Sequence, residues 1–132
     1  MARFCFIISG ILGGFAVMLG AFAAHALKST LTPELLDAFK TGVHYQLIHA
    51  LALLGIGGVL LSIKNPIARK RFRLAALCFM IGSLLFSGSL YCLALTGFKW
   101  FGPITPIGGI LFIVGWGCII SAALSITKED TL

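Results

Sequence analysis

Four stretches of this chain carry no formal charge, and each is long enough to cross a lipid bilayer. Phe4 to Leu27 has none, with His25 its only group that titrates near neutrality. Val43 to Ile63, Leu74 to Phe98 and Trp100 to Thr127 are likewise free of Asp, Glu, Lys and Arg. A hydrocarbon core of ~30 Å needs about 20 apolar helical residues. Lipid offers no hydrogen bonds, so a spanning backbone must satisfy its own peptide groups, and open apolar runs of this length can do so only as helices. Only 11% of the 132 residues are charged, against about a quarter in a soluble domain. Four spans use up almost the whole chain and leave no room for a separate soluble domain.

The expected fold is therefore all-α: an antiparallel four-helix transmembrane bundle forming one domain over residues 1–132. Its spans are placed at about 4–26, 43–63, 74–96 and 106–126. The first run has small-x-small sites at Ala21-Phe22-Ala23 and Ala24-His25-Ala26, as a signal peptide would. A secretory apolar region is ~7–15 residues, and this one is longer, so it is expected to stay as a span. Between spans one and two, Thr32 can cap a helix that starts at Pro33, with Glu34 and Asp37 favouring its positive end. Leu35, Leu36 and Phe39 alternate there with Glu34, Asp37 and Lys40. That pattern predicts a short amphipathic interfacial helix, with Thr41-Gly42 as a bend before span two or as a point where the helix simply continues.

The charges also give an orientation. Lys64, Arg69, Lys70, Arg71 and Arg73 crowd one connection that contains no acid. With Arg3 and Lys128 they put seven basic residues at one end, against Lys28, Lys40 and Lys99 at the other. The positive-inside rule makes the richer end cytoplasmic, with both termini on that side. Anionic lipid is the natural partner of this basic block. Nucleic acid is a poor one, since the charges are confined to a short connection between two spans, with Phe72 the one aromatic residue among them.

Small residues mark the expected helix contacts: Gly10, Gly14 and Gly20 in span one, Gly55, Gly57 and Gly58 in span two, and Gly108 and Gly115 in span four. In lipid, close backbone approach replaces the hydrophobic drive between helices. The polar residues at membrane depth are few. Tyr45 and His49 share a helix face, and Gln46 lies beside them. Ser83, Ser87 and Tyr91 form a narrow polar stripe on span three. Trp116 lies deep enough that its indole N–H needs a partner. Lys99, Trp100 and Phe101 read as interface anchors.

Two readings of the polar residues stay open. In the sharper one, His25, Tyr45, Gln46, His49, Ser87 and Tyr91 converge on a small polar site near the outer ends of spans one and two, fit for a metal ion, a polar headgroup or a proton. In the plainer one, the histidines bond to backbone carbonyls, Tyr45 or Ser87 and lock the bundle. No acid shares their face, and the histidine spacing matches no established ligand signature. No cofactor and no metal is expected. Cys5, Cys78, Cys92 and Cys118 are scattered singly, with no C-x-x-C pair, and read as small hydrophobes. The chain lacks a Ser-His-Asp set, a phosphate-cradling glycine loop after a strand and paired carboxylates, so an enzyme is not expected.

Five motifs appear in order: Gly20-Ala21-Phe22-Ala23-Ala24-His25, Thr41-Gly42-Val43-His44-Tyr45-Gln46, His49-Ala50-Leu51-Ala52-Leu53-Leu54, Phe86-Ser87-Gly88-Ser89-Leu90-Tyr91 and Thr105-Pro106-Ile107-Gly108-Gly109. On these the chain resembles the YgdD-like family of small multi-pass membrane proteins, which also has relatives resembling transmembrane protein 256 in animals. Ala23 departs from the pattern, where glycine is expected. The resemblance covers nearly the whole chain and implies a bacterial inner-membrane protein; it implies no activity and carries over no catalytic residue. The function expected is that of a small packed bundle serving as a binding or assembly component, self-associating or joining a larger membrane complex. The alternative is a subunit of an oligomeric small-solute or proton transporter or channel, with His49, Tyr45, Ser87 and Tyr91 along its path.

Overall fold

A computed structural model of the chain describes residues 1–127 and Asp130. Among these residues the fold is four helices: α1 (Ala2–Ala24), α2 (Pro33–Ser62), α3 (Pro66–Thr96) and α4 (Ile104–Ala123). Each is long and apolar enough to span a membrane. Short 3-10 turns at Leu27–Ser29 and Lys99–Phe101 fill the two longer connections.

The helix ends follow from their sequences. The Thr32 hydroxyl accepts from Leu35 N–H, and Pro33 takes the first helical position, where a missing N–H costs nothing. Asn65 Oδ1 accepts from both Ile67 and Ala68 N–H at 3.0 Å, again just before a proline. Gly97, with φ of 73°, closes α3 in the left-handed region.

Two connections differ from the expected layout. The amphipathic stretch from Pro33 to Lys40 is helical but is not a separate interfacial element; it forms the first turns of α2. Nothing breaks the chain at Thr41-Gly42, where the Thr41 hydroxyl bonds back to Asp37 O at 2.8 Å. A helix of 30 residues is about 45 Å long, so these turns overshoot the ~30 Å apolar core and rise into the interface on the same axis. The basic block is helical as well: Arg69 to Arg73 belong to the first turns of α3, and the α2–α3 turn is only Ile63, Lys64 and Asn65. Lys128 lies outside the described residues.

α1 packs on α2, α2 on α3 and α3 on α4. Each pair is antiparallel, because contacts fall in reversed order. Gly57 faces Cys5 and Phe6, Gly13 faces Ala50, and Gly20 faces Val43. Gly108 faces Phe86, Gly82 faces Phe112 and Gly115 faces Phe79. The core divides into two apolar clusters. The larger, around Leu53, Leu60, Phe72, Ala75 and Phe79, lies toward the α2–α3 turn. The smaller, Ala23, Leu27, Phe39 and Ala94, lies toward the opposite end. A band of hydrogen-bonded polar residues separates them.

The α2–α3 turn is tied to the end of α4. Asn65 Nδ2 donates to Ser125 O at 3.1 Å and to Asp130 Oδ2 at 3.0 Å. The Arg71 guanidinium donates to Ser121 O at 2.6 Å. The Thr127 N–H first, and then the Asn65 amide, hold the Asp130 carboxyl below its ordinary range.

Only some of the expected small-residue faces are contacts. Gly108 and Gly115 are buried against α3: a Cβ on Gly108 would sit 2.5 Å from the Phe86 nitrogen, and one on Gly115 would sit 2.5 Å from the Phe79 ring. Gly57 is also tight, at 2.9 Å from Phe6, and Gly20 makes an ordinary contact at 3.5 Å with Val43. Gly10, Gly14, Gly55 and Gly58 meet nothing within 4 Å, so they are not packing positions within this chain. The α1 face that packs is instead Cys5, Ser9, Ala16 and Ala23. It turns Gly10 and Gly14 outward.

Gly108→Ala should therefore destabilise the protein by about 1–3 kcal/mol, since the neighbour it strikes is backbone and cannot rotate away. Gly14→Ala and Gly55→Ala should leave the protein as stable as the parent or up to about 1 kcal/mol more stable, since each adds a methyl to open space and removes a glycine from a helix interior. Unfolding of the purified protein in mixed detergent micelles checks all three.

Candidate functional site

The polar band is built by α2, which lies between α1 and α3 and carries one residue toward each. Gln46, 5% exposed, is the hub. Its Nε2 donates to Leu12 O of α1 at 2.8 Å, and its Oε1 accepts from the Tyr91 hydroxyl of α3 at 2.8 Å. One amide thus joins three helices. The Ser87 hydroxyl donates to Gly42 O at 2.7 Å, one turn away on the same α2–α3 seam. Gly42 must lack a side chain there: a Cβ would sit 2.8 Å from the Tyr91 ring and 3.3 Å from Ser87 O. On the α1 side, the Ser9 hydroxyl donates to Ala50 O at 2.8 Å. In each case the carbonyl already serves its own helix and accepts a second bond through its other lone pair.

His49 belongs to a second group, facing α3 and α4. It is 2% exposed and stacks on Phe112 with ring centroids 3.5 Å apart, while Phe79 meets it edge-on at 5.0 Å. Its Nδ1 lies 2.7 Å from Tyr45 O, and the Trp116 indole N–H donates to its Nε2 at 3.3 Å. These two partners fix the tautomer. A carbonyl only accepts, so Nδ1 carries the hydrogen; an indole only donates, so Nε2 is bare. The ring is neutral and both nitrogens are used. Tyr45 is half out of the bundle and leans on Phe86 at 4.6 Å. A cleft of about 380 Å³ opens beside this group, between α2 and α4, walled by Tyr45, Phe86, Phe112 and Trp116.

The six candidate residues therefore do not form one site. Gln46, Ser87 and Tyr91 come together between α1, α2 and α3. His49 and Tyr45 face the other way, toward α4. His25 joins neither. It is exposed at the C-terminal end of α1, where its N–H bonds to Ala21 O. With Gly20 level with Val43 and Gly13 level with Ala50, the His25 position falls about 16 Å along the bundle axis from His49, at 1.5 Å rise per residue. Convergence of His25 and His49 on a common point is ruled out by that register. Among the described residues, no group of three or more His, Cys, Asp or Glu is arranged to hold a metal ion.

Three pairings escape sequence reasoning. Ser9 gives no periodic signal, being one small polar residue in an apolar run. The Ser89 hydroxyl lies 2.7 Å from the Thr105 hydroxyl, tying α3 to the start of α4. The Trp116 donor is legible as a group needing a partner, but its acceptor, 67 positions away, is not. Ser83, 3% exposed, is the one buried side chain among the described residues whose hydroxyl has no hydrogen-bond partner.

Residues 19–109 match the family described as "Protein of unknown function (DUF423)". That segment holds all six candidate residues and the Gly108 contact. The chain is 35% identical over 128 residues to the UPF0382 inner membrane protein YgdD of Escherichia coli K12, covering 97% of this chain and 95% of that one. It is 42% identical over 120 residues to a UPF0382 membrane protein of Haemophilus influenzae, covering 91% and 90%. A UPF0382 membrane protein of Staphylococcus saprophyticus is 41% identical over 122 residues, covering 92% and 98%. No solved structure matches the chain.

The hub makes a specific demand. Gln46→Leu strands the Tyr91 hydroxyl in the core and should cost about 1–3 kcal/mol of stability. Tyr91→Phe should cost less, about 0.6–1.7 kcal/mol, in line with hydrogen bonds between membrane helices. The double change should cost clearly less than the sum, because the second substitution removes the stranded group. A double-mutant cycle of detergent unfolding reads this coupling directly.

Proposed function

The chain belongs to the DUF423 family, and on that premise we propose that it is a small bundle of the bacterial inner membrane that acts as a binding or assembly component, with no catalytic activity of its own. The observation that carries this reading is where the deep polar groups point. Ser9, Gln46, Ser87 and Tyr91 are spent on bonds between helices, and His49 on Tyr45 O and Trp116. A conduction path needs ionisable or polar groups facing a shared lumen; here they face one another and the backbones of neighbouring helices. The outer faces of α1 and α4 stay apolar and broad, with Ile7, Ile11, Met18, Ile110, Ile113 and Ile120 exposed. Such faces suit lipid, a second copy or a larger membrane complex equally.

For orientation, the basic end is assigned to the cytoplasm, with both termini there. The α2–α3 turn carries Lys64 and the first turns of α3 carry Arg69, Lys70, Arg71 and Arg73, and Arg3 sits at the same end of the bundle; Lys28, Lys40 and Lys99 sit at the other. The positive-inside rule supports this sense. A second reading rests on Ser83, whose lone hydroxyl borders a cleft of about 290 Å³ between α1 and α3, beside Gln46 and Tyr91. It would make the chain one subunit of an oligomeric solute or proton carrier.

Two measurements separate these. In liposomes, the pure protein should give no proton or solute flux above empty vesicles; flux that Ser83→Ala abolishes would establish the carrier reading instead. In a cysteine-free background, Lys99→Cys should react with a membrane-impermeant maleimide in intact spheroplasts, and Lys64→Cys only after lysis. The reverse pattern would invert the assigned topology.

A further inference from the structure

The start of α3 is dominated by positive charge, with the Asp130 carboxylate, held on the Asn65 amide, the acid that faces its N-cap. A helix N-terminus carries about half a positive charge, which favours acids and disfavours bases. The first turns of α3 hold Arg69, Lys70, Arg71 and Arg73, with no acid in the first turn. The backbone N–H groups that could have bound an anion are already taken, since Asn65 Oδ1 accepts from Ile67 and Ala68. Positive charge is thus stacked on a positive dipole end at the rim of an apolar bundle.

The cations are not equivalent. Arg69 donates to Ile63 O at 3.2 Å and Arg71 to Ser121 O at 2.6 Å, so both are drawn into the turn and the α3–α4 seam. Lys64 borders a different hollow, with Gly58, Val59 and Ser62. Lys70 and Arg73 stand exposed on the outer face of α3. Leu74 and Leu77 continue that face at the i+4 and i+7 positions from Lys70. Together with Ile67 and Arg71 they line a groove of about 760 Å³. It is cationic at the bundle end and apolar one turn farther in. Ile67, Leu74 and Leu77 are 55%, 49% and 45% exposed.

We propose that this groove on α3 seats an anionic phospholipid, with its phosphate between Lys70 and Arg73 and one acyl chain along Leu74 and Leu77, while Ile67 flanks the headgroup at the bundle end. Charge complementarity selects the headgroup, and the apolar floor selects a lipid over free phosphate, which would leave that floor uncovered. The groove narrows the five-residue basic block to two binding cations, with Arg71 beside them as a tethered third charge. The seat sharpens the lipid contact expected of a cytoplasmic basic end, and so rests in part on the assigned topology. It can nonetheless be tested without reference to sidedness.

The experiment is native mass spectrometry of the full-length protein in detergent, titrated with phosphatidylglycerol or phosphatidylcholine. Phosphatidylglycerol should be retained at one site in preference to phosphatidylcholine. Lys70→Gln and Arg73→Gln should each weaken retention by about fivefold, as loss of one interfacial cation does. Lys99→Gln, at the opposite end, should leave it unchanged. All three positions are exposed, so the variants should unfold like the parent. Leu77→Trp, which fills the groove without altering charge, should also reduce retention, whereas a surface-charge effect alone would not respond to it. Millimolar inorganic phosphate should fail to compete. Equal retention of the two lipids, or retention untouched by Lys70→Gln and Arg73→Gln, would overturn the site; displacement by inorganic phosphate would reduce it to a simple anion site and overturn the lipid assignment. A failed topology assignment appears only in the maleimide labelling, so the two outcomes are distinguishable.

Discussion

The Gln46 side chain is the joint on which the bundle depends. Helices in lipid are not pressed together by water, because the surrounding tails are as apolar as the helix surfaces. What fixes their register must be directional. Gln46 supplies that by donating to α1 and accepting from α3 at once, and a polar amide facing hydrocarbon without such partners would cost several kcal/mol. The Ser9 and Ser87 bonds repeat the same device one turn to either side. Each uses a helix carbonyl as acceptor, so register is read against backbone positions and does not require a matching side chain. Slippage of α1 by one residue would break the Ser9 and Leu12 bonds together, and slippage of α3 the Ser87 and Tyr91 bonds.

The α3–α4 seam is held differently. There the helices approach until Gly108 meets the Phe86 backbone, and dispersion over close surfaces holds the middle of a seam whose two ends carry the Ser89–Thr105 and Arg71–Ser121 hydrogen bonds. The aromatic rings Phe79, Phe86 and Phe112 fill the volume that the glycines leave, and His49 enters their stack from α2. His49 is held there between two fixed partners, Tyr45 O and the Trp116 indole. It connects the hydrogen-bonded half of the bundle to the close-packed half through Trp116, which α4 contributes. The two hairpins, α1–α2 and α3–α4, are thus joined across α2–α3 by polar bonds on one side and by stacked rings on the other.

The four spans, their order and their caps could be read from charge-free length and from Thr32-Pro33 and Asn65-Pro66, because those features act locally. The spacing of Gly108 and Gly115 also gave the right α4 face, since the seven-residue repeat extends to Ala122, which is fully buried. Span one misled by the same rule. Gly10 and Gly14 have the spacing of a contact pair, yet Ser9 turns α1 by pairing with Ala50 and leaves that pair outside. Periodicity shows that a face exists; which neighbour it meets depends on a polar bond spanning 41 positions. The joint histidine site failed for a related reason. Sequence proximity across a short loop suggested that His25 and His49 meet, but the loop joins the far end of α1 to a helix that first climbs through the interface, and the register separates them.

That climb bears on how the ends of the molecule differ. α1 and α4 have 23 and 20 residues, while α2 and α3 have 30 and 31. The outer helices therefore match the ~30 Å core closely and the inner two exceed it. At the end of lower basic charge, the surplus is Pro33 to Lys40 of α2 beside the end of α3, capped by Trp100 and Lys99 at the interface. At the basic end the surplus belongs to α3 alone, because α2 stops at Ser62 and the chain turns within three residues. The projecting turns of α3 are then bare on the side away from α2 and α4. Arg69 and Arg71 are used to fasten them inward, which leaves Lys70 and Arg73 with no direction open except the headgroup layer. A single helix overshooting its neighbours, with its charges divided between fastening and exposure, makes one end of this bundle chemically distinct while its apolar outer faces remain unspecific.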